Sequence, residues 1–432
     1  MITSLLPPRI NDAATPALAT IARQVRRPAA QAHVIVLLAA FLAAAGTPAA
    51  YATEYHWIGA GTGGITATDP ADPTTQWNNP ANWQEGKVPT PADKAILPLA
   101  NAGYVNAQTA VLCGLRVDGP SAEGAYHIAD GADVSTPTNY GVNVGLYAQG
   151  RVIQTGGSLT VGGWLRVGVS AGASGEYRLE GGTLNELTDE YIGYLGTGVF
   201  TQTGGTHIVS GKLQVGNYVN TGPGALNISG GDLEVSTLLV DYTGNLRITD
   251  PAAYIEVHSL NFGGKFSAVP GSTVHIPGTI FKISCIDESG LAGLENVAIV
   301  FDGTWSGLGG TVEVAGKDLG PILYGFKDNF AIGSLVIGGA VPRSIWLQDA
   351  VDNGNRTSAE ALYVHNITVA PGSSLDLAGL KVYYDGALVN QGMITGGTPQ
   401  FVPEPGTLCM LLVGLGTGFL TRILTYTKNT EL

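Results

Sequence analysis

Alternating apolar and polar residues run through the middle of the chain. Leu159/Val161 and Leu233/Val235 show the alternation most cleanly, and a period of two places alternate side chains on one buried face of a strand. Similar pieces stand at Leu165/Val167, Leu213/Val215 and Leu238/Val240. The pattern therefore predicts a succession of short strands, each with one face in the core.

Pairs of glycine recur in matching contexts and set the spacing of these strands. The second glycines are residues 157, 182, 205 and 231, at steps of 25, 23 and 26 residues. Three short strands per step fit one coil of a β-solenoid, with glycine at the sharp corners because it adopts positive φ without steric cost. The alternative is a β-sandwich, in which strands recur at intervals of about 8–12 residues. The matched glycine pairs favour the solenoid.

Stacked coils predict columns of equivalent side chains. Leu159, Leu184, His207 and Leu233 form one such column, in which His207 is expected to be a core imidazole with a hydrogen-bond partner. Gln154 and Gln202 lie two steps apart, and the sequence leaves open whether they point inwards. We expect an all-β fold, specifically a right-handed parallel β-helix or solenoid.

The N-terminus has the three parts of a secretory signal. Arg23, Arg26 and Arg27 precede an apolar run at 34–45, and Ala50-Tyr51-Ala52 follows it. A basic region, a short apolar segment and small residues at the −3 and −1 positions predict a signal helix cut after Ala52. A buried helix is the alternative, because the run is too short to span a bilayer.

The C-terminus carries a second apolar run, Thr407 to Leu420, directly after Pro403-Glu404-Pro405. Arg422 and Lys428 follow it. This order resembles the PEP-CTERM sorting signal, although the usual arginine cluster is reduced to two basic residues. The resemblance implies a hydrophobic sorting helix that holds the chain transiently in the inner membrane, and processing by an exosortase, a membrane-embedded cysteine transpeptidase. An ordinary tail anchor remains the alternative.

Two further stretches resemble β-helical exoproteins. Trp77, Asn82-Trp83, Gly86 and the residues that follow resemble the opening of autotransporter-like exoproteins, and 344–397 resembles a closing module found before the sorting signal. The predicted organisation is a signal peptide at 1–52, an N-terminal cap with the first strands at 53–135, solenoid repeats at 136–275, a C-terminal solenoid or cap module at 276–401, and the sorting segment at 402–432.

The net charge makes a nucleic-acid partner unexpected. It is −13, with only 13% charged residues, and an acidic body repels phosphate backbones. Cys113 and Cys285 are expected to be buried free thiols, with a disulfide as the alternative outside the cytoplasm. Cys409 belongs to the sorting segment.

Catalytic motifs are weak. Gly168-Val169-Ser170-Ala171-Gly172 matches G-x-S-x-G, but a nucleophile elbow needs a helix after the serine, and the residues that follow are strand-like.

Polysaccharide-cleaving enzymes use carboxylates, and adjacent acids in loops are expected to be solvated. The candidate acids are Asp189, Glu190, Asp241, Asp287, Glu288 and Asp302.

No cofactor or metal site is predicted. The seven histidines lack the HxH and HExxH spacings of zinc sites. Calcium is conceivable at Asp352-Asn353-Gly354-Asn355 or at Asp69 and Asp72, but neither matches an EF-hand loop. Trp57, Trp77, Trp83 and Trp305 are expected in the core or cap, with stacking on sugars as the alternative.

These observations predict an exported protein of the cell surface or extracellular matrix. The expected function is structural or adhesive, without enzymatic activity, and the expected partners are an exosortase-type enzyme and an exopolysaccharide. The alternative is an extracellular polysaccharide lyase or glycoside hydrolase on a β-helix scaffold, supported by fold analogy alone.

Overall fold

The computed structural model describes residues 52–58, 77–97, 103–105, 109–112, 114–119, 125–137, 140–217, 221–291, 293–303, 309–353 and 359–404. The chain divides into two compact units, Met1–Ala52 and Thr53–Leu432, and the account below concerns the second. The predicted signal and sorting helices, Ala50, Cys113 and Pro405 lie outside the described residues. No helix in the described ranges is long and apolar enough to cross a membrane.

Short strands make up most of the described residues. The first half contains β1 (Glu54–His56), β2 (Lys94–Leu97), β3 (Gly103–Val105), β4 (Thr109–Val111), β5 (Gly114–Val117), β6 (Tyr126–Ile128), β7 (Asp133–Thr136), β8 (Val142–Val144), β9 (Gln149–Gln154), β10 (Ser158–Val161), β11 (Leu165–Val167), β12 (Ser174–Leu179), β13 (Thr183–Glu186), β14 (Glu190–Ile192), β15 (Thr197–Gln202), β16 (Thr206–Val215) and β17 (Gly224–Ile228).

The second half continues in the same way. It contains β18 (Asp232–Val240), β19 (Gly244–Ile248), β20 (Tyr254–Phe262), β21 (Lys265–Ala268), β22 (Ser272–His275), β23 (Ile280–Ile283), β24 (Val297–Phe301), β25 (Gly310–Glu313), β26 (Gly316–Lys317), β27 (Ile332–Ile337), β28 (Ser344–Gln348), β29 (Glu360–Val369), β30 (Ser374–Asp376), β31 (Lys381–Tyr384), β32 (Leu388–Asn390), β33 (Met393–Thr395) and β34 (Gln400–Phe401). Short 3-10 helices lie at Pro80–Asn82, Glu288–Leu291, Leu294–Asn296 and Leu323–Phe326.

The strands pair in parallel with the equivalent strand one coil away. An eight-stranded sheet takes the order β21-β19-β17-β15-β12-β9-β6-β3, and the other 26 strands form a second sheet. That second sheet continues around a corner because β16 pairs with β13 through one half and with β14 through the other. Among the described strands, only β26 and β29 pair antiparallel. The predicted all-β fold of parallel strands is confirmed, and its long parallel sheets are compatible with a β-solenoid.

The predicted column of side chains is present. Leu159 pairs with Leu184, Leu184 with His207, and His207 with Leu233. The same parallel pairing crosses the predicted domain limits at 135/136, through β5 and β8, and at 275/276, through β20 and β23. One hydrophobic core therefore runs through consecutive coils.

The second glycine of each pair makes the corner between two strands. Gly182 has φ +76°, and a Cβ built there would lie 2.3 Å from the carbonyl oxygen of Gly157 in the adjacent coil. A side chain at this place would therefore be strained and would also clash with the neighbouring coil. The glycine pairs stack on each other as the strands do.

Candidate functional site

One outward column stands out for its chemistry. Arg116 of β5, Asn143 of β8, Arg166 of β11, Tyr191 of β14 and Gln214 of β16 occupy successive positions in register. Each lies between two buried neighbours, so a period of two points it away from the core. Five strands at a spacing of about 4.8 Å give the column a length of about 19 Å.

Arg166 is surrounded by aromatic rings. Its guanidinium carbon lies 4.4 Å from the ring centroid of Trp164, 4.8 Å from that of Tyr194 and 5.9 Å from that of Tyr191. Lys212 Nζ lies 5.0 Å from the ring of Tyr191 on its other flank. These distances are those of cation–π contacts, which hold a cation in place without neutralising its charge.

A second ring–cation group continues the column towards the N-terminus. The guanidinium of Arg116 lies 4.9 Å from the ring of Tyr147, and Lys94 Nζ lies 4.2 Å from the ring of Tyr140. Tyr147 is 69% exposed. These side chains line a groove of about 240 Å³ together with the acidic residue Glu54. The column and its flanking residues Lys94, Tyr140, Tyr147, Trp164, Tyr194 and Lys212 are called the aromatic–cationic face below.

The cations of this face differ in their polar partners. Arg116 forms an ion pair with Asp118 at 2.6 Å, and Lys212 Nζ donates to Gln214 Oε1 at 2.9 Å. Arg166 makes no ion pair and no side-chain hydrogen bond with any residue in the described part of the chain, and its Nε is shielded from solvent without a partner. Arg166 is therefore held by rings alone, with unused donors.

Local backbone geometry places Trp164 beside Arg166. Trp164 precedes β11 and packs its backbone against Gly141, which has φ +60° and would carry a Cβ only 2.1 Å from the Trp164 carbonyl oxygen. Only glycine allows that approach. Periodicity predicts that residue 166 faces outwards, but it does not predict the ring contacts of Arg166, because these depend on the turns on either side.

The predicted cleavage and sorting residues lie at the two ends of the described chain. Ala52 comes two residues before β1. Pro403 and Glu404 follow β34 after one intervening residue, Val402, and Glu404 is exposed. The preceding Val402 is buried, and its N–H donates to the Tyr384 carbonyl at 2.8 Å. The predicted sorting motif therefore begins at the surface, shortly after the last described strand.

The predicted acids accept hydrogen bonds in several places, and two of them, Asp189 and Asp241, contact residues of the aromatic–cationic face. Asp189 accepts from the backbone N–H of Lys212, and Asp241 accepts from Gln214 Nε2. Asp287 accepts from the N–H and hydroxyl of Ser289, while Glu288 lies in a 3-10 helix. Asp302 pairs with His275 at 2.8 Å.

Glu190 is the exception to the expectation that adjacent acids are solvated. It is fully buried, and its Oε2 lies 2.7 Å from His207 Nε2. The expectation was wrong here because Glu190 occupies the inward register position between Leu165 and Leu213. The interpretation of His207 as a core imidazole with a partner is confirmed.

Other polar groups lie in the same part of the core. Burial raises the pKa of Glu186 to about 9. Gln154 and Gln202 point inwards and each donates to a backbone carbonyl of the next coil, that of Thr183 or Asp232, at 2.9 Å. Because all these groups are buried, this cluster has no access to a polymeric substrate.

The remaining sequence motifs have structural roles. Ser170 lies in a turn that leads into β12 rather than into a helix, and its carbonyl accepts from Ala173. Trp57, Trp77 and Trp83 are buried against one another, as expected for a cap. Trp305 lies outside the described residues.

Cys285 and one group of acidic side chains were the remaining candidates for a reactive or metal-binding site. Cys285 is a buried free thiol, and burial raises its pKa to about 11. Glu313, Asp349 and Glu360 come together near Asn353, but Glu313 already accepts from the N–H groups of Ala350 and Val351. Asp69, Asp72, Gly354 and Asn355 lie outside the described residues.

A larger groove, of about 760 Å³, lies along glycine-rich turns. Among the described residues that line it, only Lys265 and Asp287 are charged. It therefore lacks the concentration of rings and cations that distinguishes the aromatic–cationic face.

Comparison with known proteins identifies no relative. No family model, no curated protein and no solved structure matches the chain significantly. The functional argument therefore rests on the residues and geometry described above.

Proposed function

We propose that this chain is an exported structural or adhesive protein of the cell surface or extracellular matrix. Its body is a right-handed parallel β-solenoid, and its C-terminal segment is a sorting signal that an exosortase-type enzyme processes after transient anchoring in the inner membrane. The signal helix exports the chain and is removed after Ala52.

The observation that carries this proposal is the repeated parallel register of the coils. Different coils bury equivalent residues in one column, such as Leu159, Leu184 and Leu233, and present equivalent positions outwards. A body built in this way displays side chains at regular intervals, which suits repeated contacts with a polymer or a surface.

The position of the sorting motif supports the processing step. Pro403 and Glu404 follow the last described strand, and Glu404 is exposed. A processing enzyme can therefore reach the motif while the coils stay folded. The buried Val402 marks where the packed body ends.

An enzymatic role on the same scaffold has less support. The acids expected for polysaccharide cleavage are engaged in separate hydrogen bonds, and Glu190 is closed off from solvent. Incubation with uronate and neutral polysaccharides is expected to release no product, and released oligosaccharides would replace the structural role with a catalytic one.

The test of the proposal is mass spectrometry of the chain recovered from the cell surface. We expect a mature N-terminus at Thr53 and a C-terminus near Pro403-Glu404-Pro405. Changing Glu404 and Pro405 to alanine should leave the C-terminus intact, whereas the exposed upstream control Gln400→Ala should be processed normally. Surface-released wild-type protein that reaches Leu432 would contradict the processing step.

A further inference from the structure

The aromatic–cationic face has the features of a binding site for a linear polymer. We infer that it binds an acidic polysaccharide, a chain containing uronate residues, with Arg166 as the residue that binds its carboxylates. This inference rests on the proposed function and specifies the partner of that surface role.

The rings provide the first argument. Tyr140 and Tyr147 are exposed, and Trp164, Tyr191 and Tyr194 are partly exposed on the same face. An aromatic ring with a polar edge presents a flat apolar surface to the C–H groups of a sugar and keeps its polar tip in water. Rings in successive coils offer such surfaces at several points along one line.

The charge on this face provides the second argument. Arg166 has no carboxylate partner and no side-chain hydrogen bond among the described residues, although the chain as a whole carries a net charge of −13. A planar guanidinium donates two parallel hydrogen bonds to a carboxylate. An uronate group is a ligand of this geometry, and neutral sugars lack it.

The third argument is the regular spacing along the column. Arg116, Asn143, Arg166, Tyr191 and Gln214 follow one another at about 4.8 Å per coil. Asn143 Oδ1 is an acceptor without a hydrogen-bond partner in the described part of the chain, and Asn143 lines the groove beside Arg116 and Tyr147. A chain of similar repeat can contact several coils at once.

Single-stranded nucleic acid is the competing polymer, because it also combines rings with negative charge. The site disfavours it, because Asp118 accompanies Arg116 and Asp189 contacts the Tyr191 hydroxyl at 3.2 Å. Binding of single-stranded nucleic acid depends on a groove of several unpaired cations that follows the backbone, whereas one unpaired guanidinium is enough to bind one uronate carboxylate. Nucleic acid therefore enters the test as a probe.

The experiment is equilibrium binding of the full chain to polygalacturonate, neutral dextran and a single-stranded oligonucleotide of deoxythymidine. We expect saturable binding to polygalacturonate only. Arg166→Gln should weaken it by about tenfold or more, and Arg166→Lys by less, because lysine keeps the charge but loses the planar fork. The control Arg178→Gln removes an arginine that is paired with Glu180 on a different face, and it should bind like the wild type.

Four outcomes would overturn the inference. They are no saturable binding of polygalacturonate by the wild type, wild-type affinity in Arg166→Gln with an unchanged circular dichroism spectrum, equal binding of dextran, and tighter binding of the oligonucleotide. The proposed function is judged separately by mass spectrometry of the surface fraction. Surface delivery without polyuronate binding refutes only this inference, whereas polyuronate binding by a chain that never reaches the surface refutes the proposed function.

Discussion

The buried pair of Glu190 and His207 allows a sharp test of the stacked columns. Both side chains are fully buried, and Oε2 of Glu190 lies 2.7 Å from Nε2 of His207. In the adjacent coils, leucine occupies the equivalent positions of both columns. We therefore compare His207→Leu, Glu190→Leu and the double variant with the wild type.

Each single substitution leaves one polar or charged group buried without its partner. Loss of one member of a buried pair costs about 3–5 kcal/mol of stability. His207→Leu also removes the imidazole stacked on Phe200 at 4.6 Å, a contact worth about 1 kcal/mol. The double variant restores leucine to both columns, and replacement of a buried pair by packed apolar residues is neutral or stabilising by about 1–4 kcal/mol.

The assay is hydrogen exchange at neutral pH on peptides that cover β13, β14 and β16, with guanidinium unfolding as a second measurement. Both single variants should exchange much faster than the wild type, and the double variant should recover wild-type protection or exceed it. Ile208→Ala, an outward change beside His207, should shift stability by less than about 0.5 kcal/mol. A double variant as unstable as the two singles combined would refute the inward register of these columns.

Three further predictions concern the same coils. Between about pH 5 and 9 the folded chain holds a proton on Glu186, whose pKa is raised to about 9, whereas the unfolded chain releases that proton. The free energy of unfolding of the wild type should therefore fall by up to about 1.4 kcal/mol per pH unit over this range. Glu186→Gln should remove this pH dependence in unfolding curves, and the same pH dependence in both proteins would contradict the burial of Glu186. Gly182→Ala should destabilise the chain by more than about 2 kcal/mol in guanidinium unfolding, because strain and a clash combine. The control is Gly172→Ala, because Gly172 has φ +82° but a Cβ built there has nothing within 4 Å. This variant should lose only about 1 kcal/mol of stability. Equal losses of stability in the two variants would argue against the close packing of Gly182 on the neighbouring coil. Cys285, buried with a pKa raised to about 11, should react with a thiol reagent only on unfolding, and rapid labelling of the folded chain would contradict its placement.

The parallel stacking of the coils could be predicted well from the sequence, because glycine-pair spacing and apolar alternation are local, periodic patterns. Steps of 23 to 26 residues and a period of two place Leu184, His207 and Leu233 in register without knowledge of any distant contact. The same periodicity predicts opposite orientations for the adjacent acids Asp189 and Glu190. Glu190 stands 25 residues after Leu165, so it points inwards, while its neighbour Asp189 points outwards.

The candidate site was less predictable, for a physical reason. Periodicity places Arg166 and Tyr191 on the outer side, but it does not show that Trp164 and Tyr194 close around the guanidinium. Those contacts depend on turns whose shape is set by close backbone approaches, such as that of Gly141 to Trp164. That Arg166 has no carboxylate partner among the residues the structure describes likewise becomes visible only in three dimensions.

The most direct test of the account is disulfide formation between cysteines placed in the outer column. Asn143 and Arg166 are in register in adjacent coils, so their Cα atoms lie about 4.8 Å apart, within the range that a disulfide can bridge. Oxidation of the double variant Asn143→Cys, Arg166→Cys should give a disulfide between these two positions in peptide mapping. The double variant Asn143→Cys, Gln214→Cys, with its cysteines three coils apart and separated by about 14 Å, should stay unlinked. Linkage of the distant pair, or none in the adjacent pair, would contradict both the stack and the face built on it.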